Sequence, residues 1–440
     1  MAMAGSAIGL GNIWRFPYMA GEHGGSAFVI IYIGATLLVS LPVFMAEVII
    51  GRRSRTNAFH AMGVLAPGHP FWKKAGALAV LIPTIIASYY SVIGGWSLGY
   101  FLHSCIEPFS QTPPDVASGL FGGFVSKPWT PLVLHLVFLG LCCAVVAGGV
   151  KSGIERFSKY TLPVLFVLIV AMIVYSVSLP GARAGVEYLL KPDFSELTPR
   201  TFAYALGQSF YSLSLGMGAI ITYGSYVRRD ENILASGLGT AVSDLVFAIL
   251  AGLAIMPAVF AAGIEPGSGP GLIFQSIPYI FSQMGGEMPL VSTVMAAVFF
   301  FAVIIAAMTS CVSLVEVGAA WLVERYGLSR RRACALLFAV CGSLGVLCSL
   351  SFGPLSGMTL AGMTVFDLFD SVSSNVLLLL MAFLAVYFVG FVMRREDVRD
   401  EFTNSGTLKG CGRVFGVLYF LIKWVAPIAV LLIFVTNFIL

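Results

Sequence analysis

The sequence predicts an all-α protein that crosses a membrane many times, and three observations carry that prediction. The first is composition: 58% of the 440 residues are hydrophobic and 10% are charged, and the mean hydropathy is +0.93, far from the balance of a soluble domain. The second is a series of eleven apolar runs, each long enough to cross a hydrocarbon layer, which takes about 20 helical residues. The third is the sorting of basic residues between alternate loops. A backbone in lipid must satisfy its own hydrogen bonds, and the short alternating pattern of a membrane β-barrel is absent, so the runs are helices.

In chain order the runs lie near residues 1–20, 26–50, 76–103, 129–149, 160–180, 201–227, 235–263, 289–323, 333–353, 361–393 and 414–440. With the amino terminus inside, nineteen of the 25 Lys and Arg residues fall in inner loops, at 52–55, 73–74, 151–159, 228–229, 325–332 and 394–413. The outer loops hold four: Lys127, Arg183, Lys191 and Arg200. Positive loops stay cytoplasmic, so the carboxyl terminus is expected outside. The same sorting accounts for the net charge of +4 and calls for no nucleic-acid partner. The eight cysteines lack metal or redox spacing and read as small packing residues, and the five histidines form no pair at helical spacing. No basic stretch precedes the first run, so no cleavable signal is expected. Because that run starts at Met1, the natural chain is expected to have further residues upstream.

Ionisable groups inside hydrocarbon are costly and mark function by default. They are Arg15, Glu47, Asp244, Glu316, Asp367 and Asp370. Glu47, Glu316 and Asp367 read equally well as groups at an interface or bonded to backbone. Arg15 lies a turn past a glycine-rich stretch, and Asp370 lies near the outer end of the tenth run, so the two are placed to meet across an outer vestibule.

Two runs are poor helices. The first contains GSAIGLGNIWRFPY, Gly5 to Tyr18, and the sixth contains QSFYSLSLGMGAIITYGSY, Gln208 to Tyr226, interrupted at Gly216 and Gly218. Glycines in one span alone serve close helix packing as readily. Runs one and six each open a five-helix unit, however, and five crossings return the chain to the opposite side. Residues 1–181 and 198–395 therefore form two units of inverted topology, followed by a last helix at 412–440. Paired breaks in such units point to a midplane site in a secondary transporter. Broken ends expose amides, which favour an anionic group, and carbonyls, which favour a cation. A zwitterionic amino acid accompanied by Na⁺ meets both demands.

These stretches, with YYSVIGGW (Tyr89 to Trp96) and MTS (Met308 to Ser310), resemble the neurotransmitter:sodium symporter family in its bacterial amino-acid branch. The resemblance spans nearly the whole chain. It implies an inverted-repeat fold, Na⁺-coupled amino-acid uptake by alternating access, a bacterial inner-membrane location, and a monomer or weak homodimer among membrane lipid. By the same resemblance, a first sodium site is formed by the Ala7 carbonyl, Asn12 and Ser212, with Ser243 or Asp244 at the position where the family has an Asn. Asp244 would supply fixed negative charge and make chloride unnecessary. A second sodium site is formed by the carbonyls of Gly5, Ile8 and Ala306 with the hydroxyls of Thr309 and Ser310. Oxygen-only ligation suits a hard cation; taken without the resemblance, a Thr-Ser pair more often bonds back to its own helix. The resemblance places the substrate among Ser6, Ala7, Leu10, Gly11, Ile86, Tyr90, Tyr211, Ser212, Ser214, Met217, Ser310 and Leu314. Tyr90 and the amides of Leu10 and Gly11 would hold the carboxylate. Ser6 stands where amine-carrying relatives have an Asp, which favours amino acids, and the apolar remainder with adaptable Met217 favours bulky aliphatic or aromatic ones. Arg15 with Asp370 resembles the outer gate, with Tyr90 and Tyr211 as caps. Glu324 resembles the acidic partner in an inner gate whose basic partner lies upstream of this sequence. Ile264–Phe281 resembles the outer loop that acts as a lid.

Other readings keep distinct signatures. A channel would lack the paired breaks. An ATP-driven pump needs a phosphate-binding loop, and GGVKSG at 148–153 lacks the required order. No zinc-binding helix or nucleophile elbow suggests an enzyme. A non-transporting amino-acid sensor on the same fold differs only in flux.

Overall fold

The computed structural model describes residues 2–195, 197–265, 273–285, 288–408 and 411–439. Among them the regular structure is helical, apart from an isolated bridge between Leu360 and Met363. Among the described residues nine helices are long and apolar enough to cross a membrane. The protein is a multi-pass membrane protein.

The first run is not one helix. It forms α1 (Ala2–Ala7) and α2 (Phe16–Glu22), joined through Ile8–Leu10 and a π-helical turn, Gly11–Arg15. Then follow α3 (Ser26–Ser54), the short α4 (Ala58–Leu65), α5 (Pro70–Ile106), the peripheral α6 (Pro114–Val125), α7 (Trp129–Ala147), α8 (Val150–Val177) and the short α9 (Ala182–Leu190). The sixth run is again split, into α10 (Pro199–Ser212) and α11 (Ala219–Tyr226). The remainder comprises α12 (Ile233–Ala261), the short α13 (Ser276–Gly285), α14 (Pro289–Tyr326), α15 (Arg330–Leu350), α16 (Val365–Val392), the short α17 (Arg395–Thr403) and α18 (Val414–Thr436).

Boundaries differ from the apolar runs where polar residues make good helix ends. Asn57, Thr198, Asn232, Ser329 and Thr364 accept backbone N–H bonds as caps, which satisfies donors that a helix start leaves open. The fifth run, expected at 160–180, starts instead at Val150, so Lys151, Arg156 and Lys159 ride on its inner end rather than in a loop.

The second break needs glycine. Gly216 and Gly218 have φ of +73° and +69°, a region that costs side chains about 1–2 kcal/mol. A Cβ on Gly216 would also stand 2.2 Å from the Leu378 carbonyl oxygen. In the first break the constraint is proximity: a Cβ on Gly9 would lie 1.9 Å from Ser310 Oγ. Helices α3, α5, α12 and α14 pack around the two broken helices, with α5 against α14 as the most extensive pairing. Both breaks are thereby buried at the centre of the molecule.

Candidate functional site

Between the breaks lies a small cavity of about 20 Å³, lined by Ser6, Ala7, Gly11, Ile86, Tyr90, Tyr211, Ser212, Ser214, Met217, Ser310 and Leu314. Eleven of the twelve residues expected around a substrate are thus brought together from α1, α5, α10, α14 and the two breaks. The twelfth, Leu10, is fully buried, and its backbone lies close to the Tyr90 hydroxyl, as does Ser310. Ser6 Oγ is buried without a hydrogen-bond partner among the described residues, while the Ser6 carbonyl accepts from Ser214 Oγ at 2.9 Å. A polar atom left this way in a cavity wall is suited to a polar ligand. The space holds about one water molecule. A bulky side chain enters only with displacement of its flexible walls, Met217 and Tyr211.

Beside the cavity sits a buried carboxylate. Asp244 Oδ1 accepts from Asn12 Nδ2 and from Ser212 Oγ, each at 2.7 Å. Its Oδ2 accepts from the Tyr32 hydroxyl at 3.1 Å. Asn12 Oδ1 in turn accepts from Gly9 N at 2.9 Å, which ties the broken turn to α12. Asp244 is fully buried, yet none of the ion pairs among the described residues includes it. Buried charge is costly unless paired or bound to a metal. The Asp244 carboxylate and the Ser212 hydroxyl meet here without sulfur or imidazole, oxygen groups of the kind a hard cation takes, while Asn12 turns its amide nitrogen toward them and its oxygen toward Gly9 N. No cluster of three or more His, Cys, Asp or Glu occurs among the described residues, so any such cation relies on carbonyl and hydroxyl oxygens too. Ser243, the alternative expected at this position, does not join the group. It is exposed on another face of α12, because adjacent helical residues point about 100° apart.

The second expected cation set is partly assembled. Thr309 Oγ1 bonds with the Ile8 carbonyl at 2.9 Å and with the Ala306 carbonyl at 2.8 Å, and Ser310 Oγ lies at the same junction beside Gly9. Gly5 is buried in α1 against Ser158 of α8. Three carbonyl and hydroxyl oxygens therefore bridge the first break to α14.

At one end of the cavity the Arg15 guanidinium lies 4.7 Å from the Tyr211 ring centre, a cation–π distance. Asp370 is within electrostatic range of Arg15 but makes no ion pair with it within 4 Å; its carboxylate accepts from Ser374 Oγ at 3.1 Å. Glu324, at the end of α14, is occupied by Thr56 Oγ1 and by Asn57 N at 2.9 Å, and so helps start α4. Glu316 is buried, accepts from the Tyr226 hydroxyl at 2.8 Å and pairs with Arg330. Asp367, at the start of α16, bonds with the capping Thr364. Of the expected lid, residues 266–272 lie outside the described residues; Phe274 stacks edge-on against Trp96 of α5 at 5.8 Å.

Glu47 is a residue whose role the sequence left open. Its Oε1 accepts from Gly216 N at 2.7 Å, which takes up a donor freed where the second helix breaks. Its position in a span was the only available signal, since the partner is a backbone group.

Comparison with known proteins identifies the family. The Sodium:neurotransmitter symporter family matches over residues 1–113 and 123–440. The chain is 37% identical to an uncharacterized sodium-dependent transporter, YhdH, of Bacillus subtilis (strain 168), over 99% of this chain and 94% of that protein. It is 34% identical to another from Haemophilus influenzae, over 99% and 96%. Among solved structures it resembles MhsT in complex with L-phenylalanine, at 38% identity and a TM-score of 0.89, covering 99% of this chain and 97% of that one. On sequence, fold and the residues brought together at its centre, the chain belongs to the sodium:neurotransmitter symporter family.

Proposed function

We propose that the protein is a Na⁺-coupled symporter that imports hydrophobic or aromatic amino acids by alternating access, without need for chloride. The observation that carries this reading is Asp244: a fully buried carboxylate with three side-chain donors and no cationic side chain in contact, one hydrogen bond from the cavity-lining Ser212. A fixed anion at that place favours Na⁺ and supplies the negative charge that a chloride ion would otherwise bring. The Thr309, Ile8 and Ala306 oxygens are the proposed second Na⁺ position.

The cavity supports the substrate class. Tyr90, Ser310 and the backbone at Leu10 offer polar contacts on one side, and Ile86, Met217 and Leu314 give an apolar remainder. The relative solved with L-phenylalanine accords with a bulky apolar side chain. Nine continuous helices and the two broken ones would make eleven passes. Exchanging each helix for the one five passes away turns one set of contacts into another that is also present: α5 on α15 into α14 on α7, α5 on α7 into α14 on α15, and the first broken helix on α12 into the second on α3. That exchange supports an inverted repeat. The loop charges support an inner membrane with the amino terminus cytoplasmic.

Binding of labelled leucine, tryptophan and tyrosine to purified protein tests the site. Retention in NaCl and in sodium gluconate, with loss when K⁺ replaces Na⁺, is expected. Equal binding in K⁺ would overturn the proposed cation coupling.

A further inference from the structure

Far from the central site, a cleft of about 740 Å³ opens between the last turns of α5, the peripheral α6 and the start of α7. Its floor is apolar, formed by Leu102, Leu120, Phe124 and Leu134. Two glycines of α6, Gly119 and Gly123, leave its wall low: a Cβ added at either would meet nothing within 4 Å. The rim carries both signs of charge, with Glu107 at the end of α5 and Lys127 just before α7. Lys127 takes part in no ion pair among the described residues. Beneath the rim, the Tyr100 hydroxyl and His103 Nε2 are enclosed without hydrogen-bond partners among the described residues, although both side chains line the cleft. Ile106 and Trp129, 75% and 74% exposed, flank the opening, as residues do at a membrane surface.

An apolar floor under a zwitterionic rim fits an amphiphile. Another membrane-facing groove, between α3, α10 and α18, is lined without any ionisable residue and has no such headgroup chemistry. We propose that the α5–α6–α7 cleft binds one phospholipid whose headgroup holds both an ammonium and a phosphate, of the phosphatidylethanolamine type. In it Glu107 faces the ammonium, Lys127 faces the phosphate, and an acyl chain lies along Leu102, Leu120 and Leu134. The Tyr100 hydroxyl and His103 Nε2 stay enclosed beneath the lipid, and His103 Nδ1 lies 3.7 Å from the Glu107 carboxylate. In the orientation proposed above the cleft opens in the outer leaflet.

Native mass spectrometry of the delipidated full chain, with phosphatidylethanolamine or phosphatidylglycerol added separately, tests this. Wild-type protein should retain one phosphatidylethanolamine in preference to phosphatidylglycerol. Gly123→Trp, which fills the cleft, should lose that lipid while Na⁺-dependent leucine binding persists. Lys127→Ala and Glu107→Gln should each weaken it by about twofold to fivefold, the range for exposed charge pairs, and these two variants decide the matter if Gly123→Trp fails to fold. Unchanged lipid retention in the folded variants, or phosphatidylglycerol held as well as phosphatidylethanolamine, would overturn the proposal.

Discussion

At the scale of single residues, Asp244 is the group to which the proposed coupling is assigned. Asp244→Asn keeps size but removes the charge and exchanges one acceptor oxygen for a donor, so Na⁺-driven uptake should fail or become stimulated by chloride; unchanged uptake in sodium gluconate would refute the assigned role. Ser243→Ala, on the exposed face of α12, should leave uptake as it is. Two adjacent polar residues look alike in a sequence, and only packing against Asn12, Ser212 and Tyr32 separates them. Glu47 carries the same lesson. As an intramembrane carboxylate it stood out, but its partner is the Gly216 amide, and no side-chain pattern announces a backbone donor. Glu47→Ala leaves that N–H without its acceptor, at a cost of about 1–3 kcal/mol, whereas Glu47→Gln retains an oxygen. Thermal unfolding in detergent should therefore rank wild type, Glu47→Gln and Glu47→Ala in descending order, and equal melting of the two variants would argue against the contact.

At the scale of elements, the two interruptions position everything else. Glycine clusters within otherwise apolar runs exposed both breaks in the sequence, because a continuous helix has little use for Gly216 and Gly218 so close together. The close approaches that demand glycine were hidden, since the Leu378 carbonyl lies more than 150 positions away in the chain. Gly216→Ala would combine left-handed strain of about 1–2 kcal/mol with a Cβ 2.2 Å from that carbonyl. Ligand binding should be lost or severely weakened, while Gly239→Ala, on α12 with open space around it, should be tolerated. A Gly216→Ala variant that binds leucine with wild-type affinity would show that the break does not set the site. Helix ends were less legible than breaks. The inner end of α8 continues through Lys151, Arg156 and Lys159, because long basic side chains reach the interface while their backbone stays helical.

At the scale of the whole molecule, Arg15 lies over Tyr211, a residue of the central cavity wall, and α3 and α17 are clasped by Arg52 and Arg53 with Glu401 and Asp397. Arg15→Ala removes a cation–π contact of about 1–2 kcal/mol and a charge facing Asp370; uptake should fall, and normal flux would exclude Arg15 from gating. Family membership was readable from the motifs around the breaks, but a sequence cannot distinguish an amino-acid sensor from a carrier, since both need the same binding geometry. The deciding measurement is accumulation of labelled leucine, tryptophan and tyrosine in proteoliposomes. With an inward Na⁺ gradient and gluconate as the only anion, the protein should concentrate at least one of them above equilibrium, and collapse of the gradient should release it. Saturable Na⁺-dependent binding without accumulation would contradict transport and leave a sensor.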